Sequence, residues 1–252
     1  YNFVEGKVVL KLFHIMKIFE NNDKDVFVKK MEKNKYLIQI PYNKQTKQGQ
    51  KRKIFWTNFP WHNLKIIKMS SSKDELRDVV VQSESIMTLP EFLSRKKNNI
   101  GYSLALQLFT DIGNQLKTLE QFNIFISAFS LDDIVVIGEH FFLMEDTKNI
   151  SVLYSDKIII QIDQLSLIKN WKKNKFVGPE IYSLTSLPAE ISIKSSYYNI
   201  ASLVVYVLFK KYIDTKKNNI EEILENIKNT KLYWGLKRCL ELNVENRYFL
   251  LI

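Results

Sequence analysis

The feature that most constrains the fold is a change of hydrophobic periodicity along the chain. In the first third, the apolar residues fall in short bursts separated by polar turns, at Ile15–Phe19, Val26–Val28 and Tyr36–Ile40. This spacing is typical of an antiparallel meander. Two further apolar runs lie on either side of the polar segment Ser70–Asp74 and predict a hairpin. The front of the chain is therefore predicted to form a small antiparallel sheet.

Later in the chain the period becomes helical. An apolar stripe predicts a helix over Ser103–Phe122, with Ser103 as its N-terminal cap. Short strand-like runs meet at a turn at Gly138, and a second apolar helix is predicted over Tyr197–Lys211. The stripe of the first helix consists of Leu104, Leu108, Ile112, Leu116 and Leu119.

These patterns predict an α+β fold in two parts. Residues 1–84 form the strand-rich part and residues 85–252 the helical part of one domain. The chain has 252 residues, of which 46% are hydrophobic, and this is enough to bury a substantial core. The sequence shows no internal repeat and no low-complexity linker between the two parts.

Composition also limits the cellular setting that we expect. The apolar run Ile200–Phe209 ends at Lys210 and is too short to cross a membrane, so no membrane span is predicted. The chain begins at Tyr1 with no pattern of a secretion signal, and we interpret it as a trimmed fragment. The single cysteine, Cys239, excludes an intrachain disulfide framework and a zinc site built on several thiolates. A reducing, intracellular and cytoplasmic location fits these features.

Several segments follow one another in an informative order. They are residues 62–68, 78–82, 85–93, 103–122, 123–136, 141–147, 177–180, 196–201 and 238–247. In this order they resemble a protein kinase. They correspond to the fourth and fifth strands with the hinge, the long helix before the catalytic loop, the loop itself, the magnesium-binding strand, the end of the activation segment, the central helix and the closing helix. The resemblance implies a two-lobed fold with a small β lobe and a mainly helical lobe.

The resemblance also shows which parts of a phosphoryl-transfer site are missing near the front of the chain. The glycine-rich loop should lie at Glu20–Lys24, but this segment has no glycine that would let the backbone approach a phosphate. Ile40 falls at the position of the strand lysine. The acidic partner of that lysine is also missing, because no Asp or Glu lies between Glu32 and Asp74.

The catalytic loop is similarly changed. Ala128 falls at the position of the catalytic base and offers no proton acceptor. Ser130 replaces a lysine that would contact the transferring phosphate, and Asp133 replaces the metal-binding asparagine. Glu145 falls at the magnesium position and is a weak metal candidate, since a carboxylate can bind a hard cation. The three histidines, at positions 14, 62 and 140, match no metal-ligand spacing.

One polar pair implied by the resemblance is retained. Glu180 and Arg247 fall where kinases tie the end of the activation segment to the last helix. Because a buried arginine without a carboxylate is costly, we expect this ion pair to be kept for structure. The resemblance therefore implies an intact architecture with a degenerate active site.

A basic stretch is a candidate surface for a partner. Five positive charges without an acid precede a group of aromatic residues, and this combination suits nucleic acid or an acidic protein surface. The net charge of +10 supports both partner classes. The competing interpretation is a solvated loop or helix that leads into core aromatics. The basic residues are Lys44, Lys47, Lys51, Arg52 and Lys53, and the aromatics are Phe55, Trp56, Phe59 and Trp61.

The leading hypothesis from the sequence is a pseudokinase without a cofactor. It would act as a scaffold, allosteric subunit or decoy that binds a protein partner. A second hypothesis is an atypical nucleotide-binding serine/threonine kinase that uses Glu145 and Asp133. A third is a basic nucleic-acid-binding module. A different α+β fold with a similar helix pattern also fits the order of the elements.

Overall fold

The structure is a computed structural model that describes residues 15–16, 26–41, 47–71, 76–97, 100–122, 124–126, 128–144, 150–152, 157–160, 165–214 and 219–250. Within these residues the predicted α+β class is confirmed, with antiparallel sheets and eight α-helices. The strands are β1 (Ile15–Met16), β2 (Phe27–Lys30), β3 (Lys35–Pro41), β4 (Lys65–Ser71), β5 (Leu76–Gln82), β6 (Ile86–Thr88), β7 (Ile124–Ile126), β8 (Ile134–Ile137), β9 (His140–Leu143), β10 (Ile150–Val152), β11 (Lys157–Ile160) and β12 (Ala189–Ser192). The helices are α1 (Lys47–Thr57), α2 (Leu89–Arg95), α3 (Tyr102–Gln121), α4 (Leu165–Lys173), α5 (Pro179–Tyr182), α6 (Ser195–Phe209), α7 (Ile220–Leu224) and α8 (Lys231–Cys239).

The first five strands form one antiparallel sheet in the order β1-β2-β3-β5-β4. In β3, Tyr36, Ile38 and Ile40 are buried and the residues between them are half-buried, because successive side chains of a strand point to opposite faces. The register places Ile38 opposite Val28 on one side and Val79 on the other. The predicted meander is therefore present in the described residues, and β4 and β5 form the predicted hairpin.

Three smaller antiparallel sheets follow. β6, β8 and β9 form a three-stranded sheet, β7 pairs with β10, and β11 pairs with β12. The turn between β8 and β9 contains Gly138 at a φ of +64°, a conformation that glycine adopts without strain. The turn predicted at this glycine is confirmed.

The aromatic residues at the end of α1 and in the turn that follows it form a buried cluster. Phe55, Trp56, Phe59 and Trp61 are all at most 9% exposed. The Trp61 indole N–H donates a hydrogen bond to the Trp56 carbonyl over 2.9 Å. Phe59 stacks on Phe142 of β9, with ring centroids 5.2 Å apart. The cluster therefore fixes the turn before β4 against the three-stranded sheet, and core aromatics are the correct interpretation of this run.

Helix α3 carries the predicted apolar stripe, and all of the stripe residues are buried except Leu104, which is half-buried. The predicted cap at Ser103 is wrong. The helix begins at Tyr102, and Gly101 takes the extended N-cap conformation with no side-chain cap. Glycine is accepted at this position, so Ser103 falls in the first helical turn.

Two polar side chains beside and within the apolar stripe of α3 hold β9. The Asp111 carboxylate accepts a hydrogen bond from the Phe141 backbone N–H at 3.0 Å. One turn later, the Gln115 side chain bonds both the N–H and the carbonyl of Leu143, each at 2.9 Å. Gln115 is 2% exposed, so these bonds replace the water that the amide loses on burial.

Helix α6 is the buried axis of the helical part. It is apolar on all sides, as expected for a helix surrounded by protein, and it packs against α3 and α8. Gly113 of α3 lets the Phe249 ring approach closely, since a Cβ there would lie 1.9 Å from the ring. None of the helices within the described residues has both the length and the apolar content to cross a membrane.

Candidate functional site

In the loop after β7, Ala128 is buried among apolar side chains. Ala128 is 3% exposed and packs in a second apolar cluster, separate from the main core. The other buried members of this cluster are Phe125, Ile168, Trp171, Val177, Ile181, Ile191 and Ile193. At the position where the resemblance implies a catalytic base, the chain therefore carries a methyl group enclosed by apolar side chains.

The central helix fixes the backbone beside this position. Asn199 of α6 is fully buried, and its side chain accepts from the Phe129 N–H at 2.8 Å and donates to the Phe129 carbonyl at 2.9 Å. The Asn174 amide donates to the same carbonyl at 2.8 Å. These bonds satisfy a buried peptide and hold the loop in one conformation.

Asp133 has a local structural role. Its carboxylate accepts hydrogen bonds from the Ser130 backbone N–H at 2.7 Å and from the Ser130 hydroxyl at 2.9 Å. The two residues form a capping box around the short turn Leu131–Asp133. Ser130 and Asp133, which the resemblance places at the phosphate-contacting and metal-binding positions, are therefore hydrogen-bonded to each other.

The remaining positions of the degenerate site lie in the core or outside the described residues. Ile40 is fully buried in β3. The predicted glycine-loop segment Glu20–Lys24, Ser127 and the metal candidate Glu145 lie outside the described residues. Among the residues that the structure describes, no group of three or more His, Cys, Asp or Glu side chains is arranged to hold a metal ion.

The predicted contact between Glu180 and Arg247 is present. The guanidinium donates to both carboxylate oxygens, Nη1 to Oε1 at 2.7 Å and Nη2 to Oε2 at 2.9 Å. Nε also donates to the Glu241 carbonyl at 2.6 Å, and the guanidinium lies 4.7 Å from the centroid of the Tyr198 ring. Arg247 is fully buried, so this set of partners replaces the water around its charge.

The electrostatics of the pair follow from this geometry. Burial acts to raise the pKa of Glu180, but the hydrogen bonds and the positive charge of Arg247 outweigh burial and hold the pKa below its usual 4.5. Gly178 has no side chain for a steric reason, because a Cβ there would lie 2.3 Å from the Glu180 carboxylate. The Gly-Pro-Glu sequence at residues 178–180 therefore leaves the space that the Glu180 carboxylate occupies in the ion pair.

The predicted basic surface needs correction. Arg52 is 8% exposed and engaged by another group, so it is not part of an exposed surface, whereas Lys53 is exposed. The reason is helical spacing: Arg52 lies three, four and seven residues before the buried aromatics of α1 and its following turn, on the same face. Lys44 and the side chains of Lys47 and Lys51 lie outside the described residues.

A cavity of about 710 Å³ opens beside the ion pair, and we call it the α5 cavity. Its lining includes Pro179 and Tyr182 of α5, Tyr198 of α6, and Lys175 and Asp214 from the flanking segments. Tyr182 is 45% exposed, so part of this lining is open to solvent. The volume is in the range of ligand and side-chain pockets.

Lysines and tyrosines from separate segments meet at the edge of the α5 cavity. Tyr206 and Tyr212 stack with ring centroids 4.5 Å apart. The Lys175 ammonium lies 4.7 Å from the Tyr212 centroid, and the Lys210 ammonium lies 5.5 Å from the Tyr206 centroid. We call these four residues the lysine–tyrosine surface. It combines aromatic area with two positive charges that lie near the tyrosine rings.

Sequence reasoning missed this surface. Its residues come from the segment after α4, from α6 and from the segment after α6, so no local run of charge marks them. Of the three histidines, His62 is exposed, His140 contacts Asp111 with Nδ1 to Oδ2 at 3.3 Å, and His14 lies outside the described residues.

Comparison with known proteins gives no family assignment: no protein-family model matches the chain, and no curated protein matches it.

Proposed function

We propose that this chain is a kinase-like domain that no longer transfers phosphate and works by binding a protein partner. The observation that carries the proposal is the enclosure of Ala128 in an apolar cluster. Phosphoryl transfer needs a base beside the accepting hydroxyl and charged groups around the phosphates. Neither function is served by a buried methyl group at this position and a buried isoleucine at position 40.

The order of elements supports the two-lobed arrangement. A five-stranded antiparallel sheet with a helix between its third and fourth strands in sequence precedes the mainly helical part. The long helix α3, the buried helix α6 and the pair Glu180–Arg247 follow in the order that the resemblance implies. The small lobe corresponds to residues 1–84 and the helical lobe to residues 85–252.

We assign partner binding to the α5 cavity and the adjoining lysine–tyrosine surface. Lys175 in the cavity lining and Lys210 on the adjoining surface provide positive charge, whereas the Glu180 carboxylate beside the cavity is paired with Arg247 and Asp214 in the lining is engaged by another group. A partner with an acidic segment and an apolar or aromatic anchor complements this arrangement, because the charge steers encounter and the anchor fills the cavity.

A protein segment fits this surface better than single-stranded nucleic acid does. Bases bind such proteins by stacking on open aromatic faces. Tyr206 and Tyr212 already stack on each other, and each also has a lysine ammonium near its ring. A base would have to displace these contacts before it could stack.

The experiment that tests the loss of activity is calorimetric titration of the purified chain with ATP and magnesium at millimolar concentration, together with a phosphoryl-transfer assay on a generic protein substrate. We expect no saturable heat and no transfer. Saturable micromolar binding would favour the nucleotide-binding alternative that uses Glu145 and Asp133, and measurable transfer would refute the proposal.

A further inference from the structure

A second cavity lies on the far side of α3 from its apolar stripe. We call it the α3 cavity, and its volume is about 510 Å³. Its walls come from three places: the turn after α1, the polar side of α3, and the first residue of β9. The side chains that carry the argument are His62, Asn63, Asn114, Lys117, Thr118 and Gln121. The volume is in the range that holds a small organic molecule.

The walls of the α3 cavity are held in place without a ligand. Phe59, in the turn, stacks on Phe142 of β9. Asp111 and Gln115 of α3 are bonded to the backbone of the same strand. In the turn itself, the Asn58 amide donates to the Ile54 carbonyl at 2.9 Å. A cavity with fixed walls loses little conformational entropy when it binds a ligand.

The one acidic side chain in the described lining already has partners. Asp111 accepts from the Gln107 amide at 2.8 Å through Oδ1 and from the Phe141 N–H at 3.0 Å through Oδ2, which also faces His140. Lys117, in contrast, is exposed and has only donors. A ligand in this cavity therefore meets a positive charge at Lys117 and a carboxylate whose two oxygens each already accept a hydrogen bond.

The rest of the polar lining has both donors and acceptors. The amides of Asn63, Asn114 and Gln121 each carry an NH₂ group and a carbonyl oxygen, and the Thr118 hydroxyl can donate or accept. Hydroxyl groups have the same dual character, so a hydroxyl-rich body can bond to several of these side chains at once. An ionised phosphate on that body would form a charge-assisted hydrogen bond with Lys117.

We propose that the α3 cavity binds a small, hydroxyl-rich phosphate ester. Lys117 and the exposed imidazole of His62 bind the phosphate, and the amides and Thr118 bind the hydroxyl groups. Because the lining includes the turn before β4, α3 and β9, the bound molecule bridges the strand-rich and helical parts and stabilises their contact. The site is independent of the α5 cavity and of partner binding.

The test is a titration of the chain with three probes at constant ionic strength: glucose 6-phosphate, glucose and inorganic phosphate. Binding is followed by calorimetry and by amide chemical shifts. We expect saturable binding of glucose 6-phosphate at least about tenfold tighter than that of either other probe, because charged and neutral hydrogen bonds act together. The shifts should concentrate in residues 58–63 and 111–121, and the melting temperature should rise.

Variants decide whether the cavity is the site. Lys117→Gln should weaken binding of glucose 6-phosphate about tenfold, and the matched control Lys68→Gln, an exposed lysine on β4, should leave it unchanged. If inorganic phosphate binds with the same affinity as glucose 6-phosphate, the proposal that the ligand is rich in hydroxyl groups is wrong. Absence of saturable binding at millimolar glucose 6-phosphate, or equal effects of the two variants, would overturn the site.

Discussion

The two sides of helix α5 differ in what they bury: one packs in an apolar cluster, and the other forms a buried ion pair. Ile181 belongs to the apolar cluster around Ala128, in which every buried member is apolar. The neighbouring Glu180 reaches a fully buried guanidinium, and each nitrogen of this group donates at least one hydrogen bond. The comparison shows that the buried charge of Arg247 lies where several hydrogen bonds replace the lost water, whereas the cluster around Ala128 consists of hydrophobic side chains.

The largest effect should come from placing a charge on the apolar side. Ala128→Asp would bury a carboxylate among apolar side chains, which can shift its pKa by about three units or more. We therefore expect a loss of about 4 kcal/mol or more in the free energy of unfolding at neutral pH. Denaturant unfolding measures this loss. No phosphoryl transfer should appear, because Ile40 falls where the resemblance to protein kinases would require a lysine.

The control for this substitution is Ala128→Ser, which adds a polar atom without a charge and should cost much less. A stable Ala128→Asp protein with an ordinary carboxyl pKa would mean that the loop opens to water. Kinase activity in that variant would refute the proposal that the chain no longer transfers phosphate.

The second prediction concerns the buried charge of Arg247, on the ion-pair side of α5. Arg247→Ala should destabilise the chain by roughly 3 to 5 kcal/mol, because Glu180 is left partly buried and unpaired. The double variant with Glu180→Ala should lose less than the sum of the two single losses, since the pair is then removed as a unit. Denaturant unfolding of the four proteins gives the coupling.

An exposed pair on α2 provides the matched control. Arg95 and Glu91 are 2.6 Å apart, but their side chains are 61% and 38% exposed. Arg95→Ala should therefore cost at most about 1 kcal/mol. Additive losses at Arg247 and Glu180 would show that their contact contributes no coupling energy.

The third prediction concerns pH. The pKa of Glu180 in the folded chain lies below its usual value, so the folded state binds fewer protons than the unfolded state as the pH falls. The stabilisation is complete above the unfolded pKa and is lost as the pH falls through the folded pKa. The stability difference between the natural chain and Glu180→Gln should therefore shrink as the pH falls below about 4. A difference that is constant with pH would contradict this.

Cys239 offers a way to follow these changes. It is the only cysteine in the chain and is fully buried, and burial raises the pKa of its thiol to about 12. A thiol reagent that needs the thiolate should react only after the helical part opens. The reaction rate therefore reports opening near α8 in each variant.

Sequence reasoning predicted the periodic parts of the fold well, because strand and helix periods are local. The β2–β3 and β4–β5 pairs, α3 and α6 all appear within a few residues of their predicted bounds. The pair Glu180–Arg247 is 67 residues apart in sequence and was predicted only from an ordered resemblance. No local pattern could have found it.

The errors have physical causes that the sequence contained only in part. Arg52 was assigned to an exposed surface because the charges were counted along the chain instead of around a helix. Its spacing to Phe55, Trp56 and Phe59 would have placed it on the buried face. The lysine–tyrosine surface could not be found in this way, since it depends on how α6 and its flanking segments pack.

The smallest expected effect concerns the lysine–tyrosine surface beside the α5 cavity, where the lysine charges are exposed and so contribute little to folding. Replacing Lys175 and Lys210 by Gln should change the free energy of unfolding by less than about 1 kcal/mol. The same change should slow association of a labelled Glu-rich peptide with a phenylalanine anchor about threefold to tenfold, and it should flatten the dependence of association on salt. Stopped-flow fluorescence measures both quantities, and Lys53→Gln on α1 is the matched control.

If the peptide associates at the same rate with the Lys175/Lys210 double variant and with the Lys53→Gln control, the lysine–tyrosine surface is not the partner site. If an oligothymidine competes better than the peptide, the partner is a nucleic acid. The calorimetric result with ATP is unaffected by either outcome, so the loss of catalysis and the place of partner binding are tested separately.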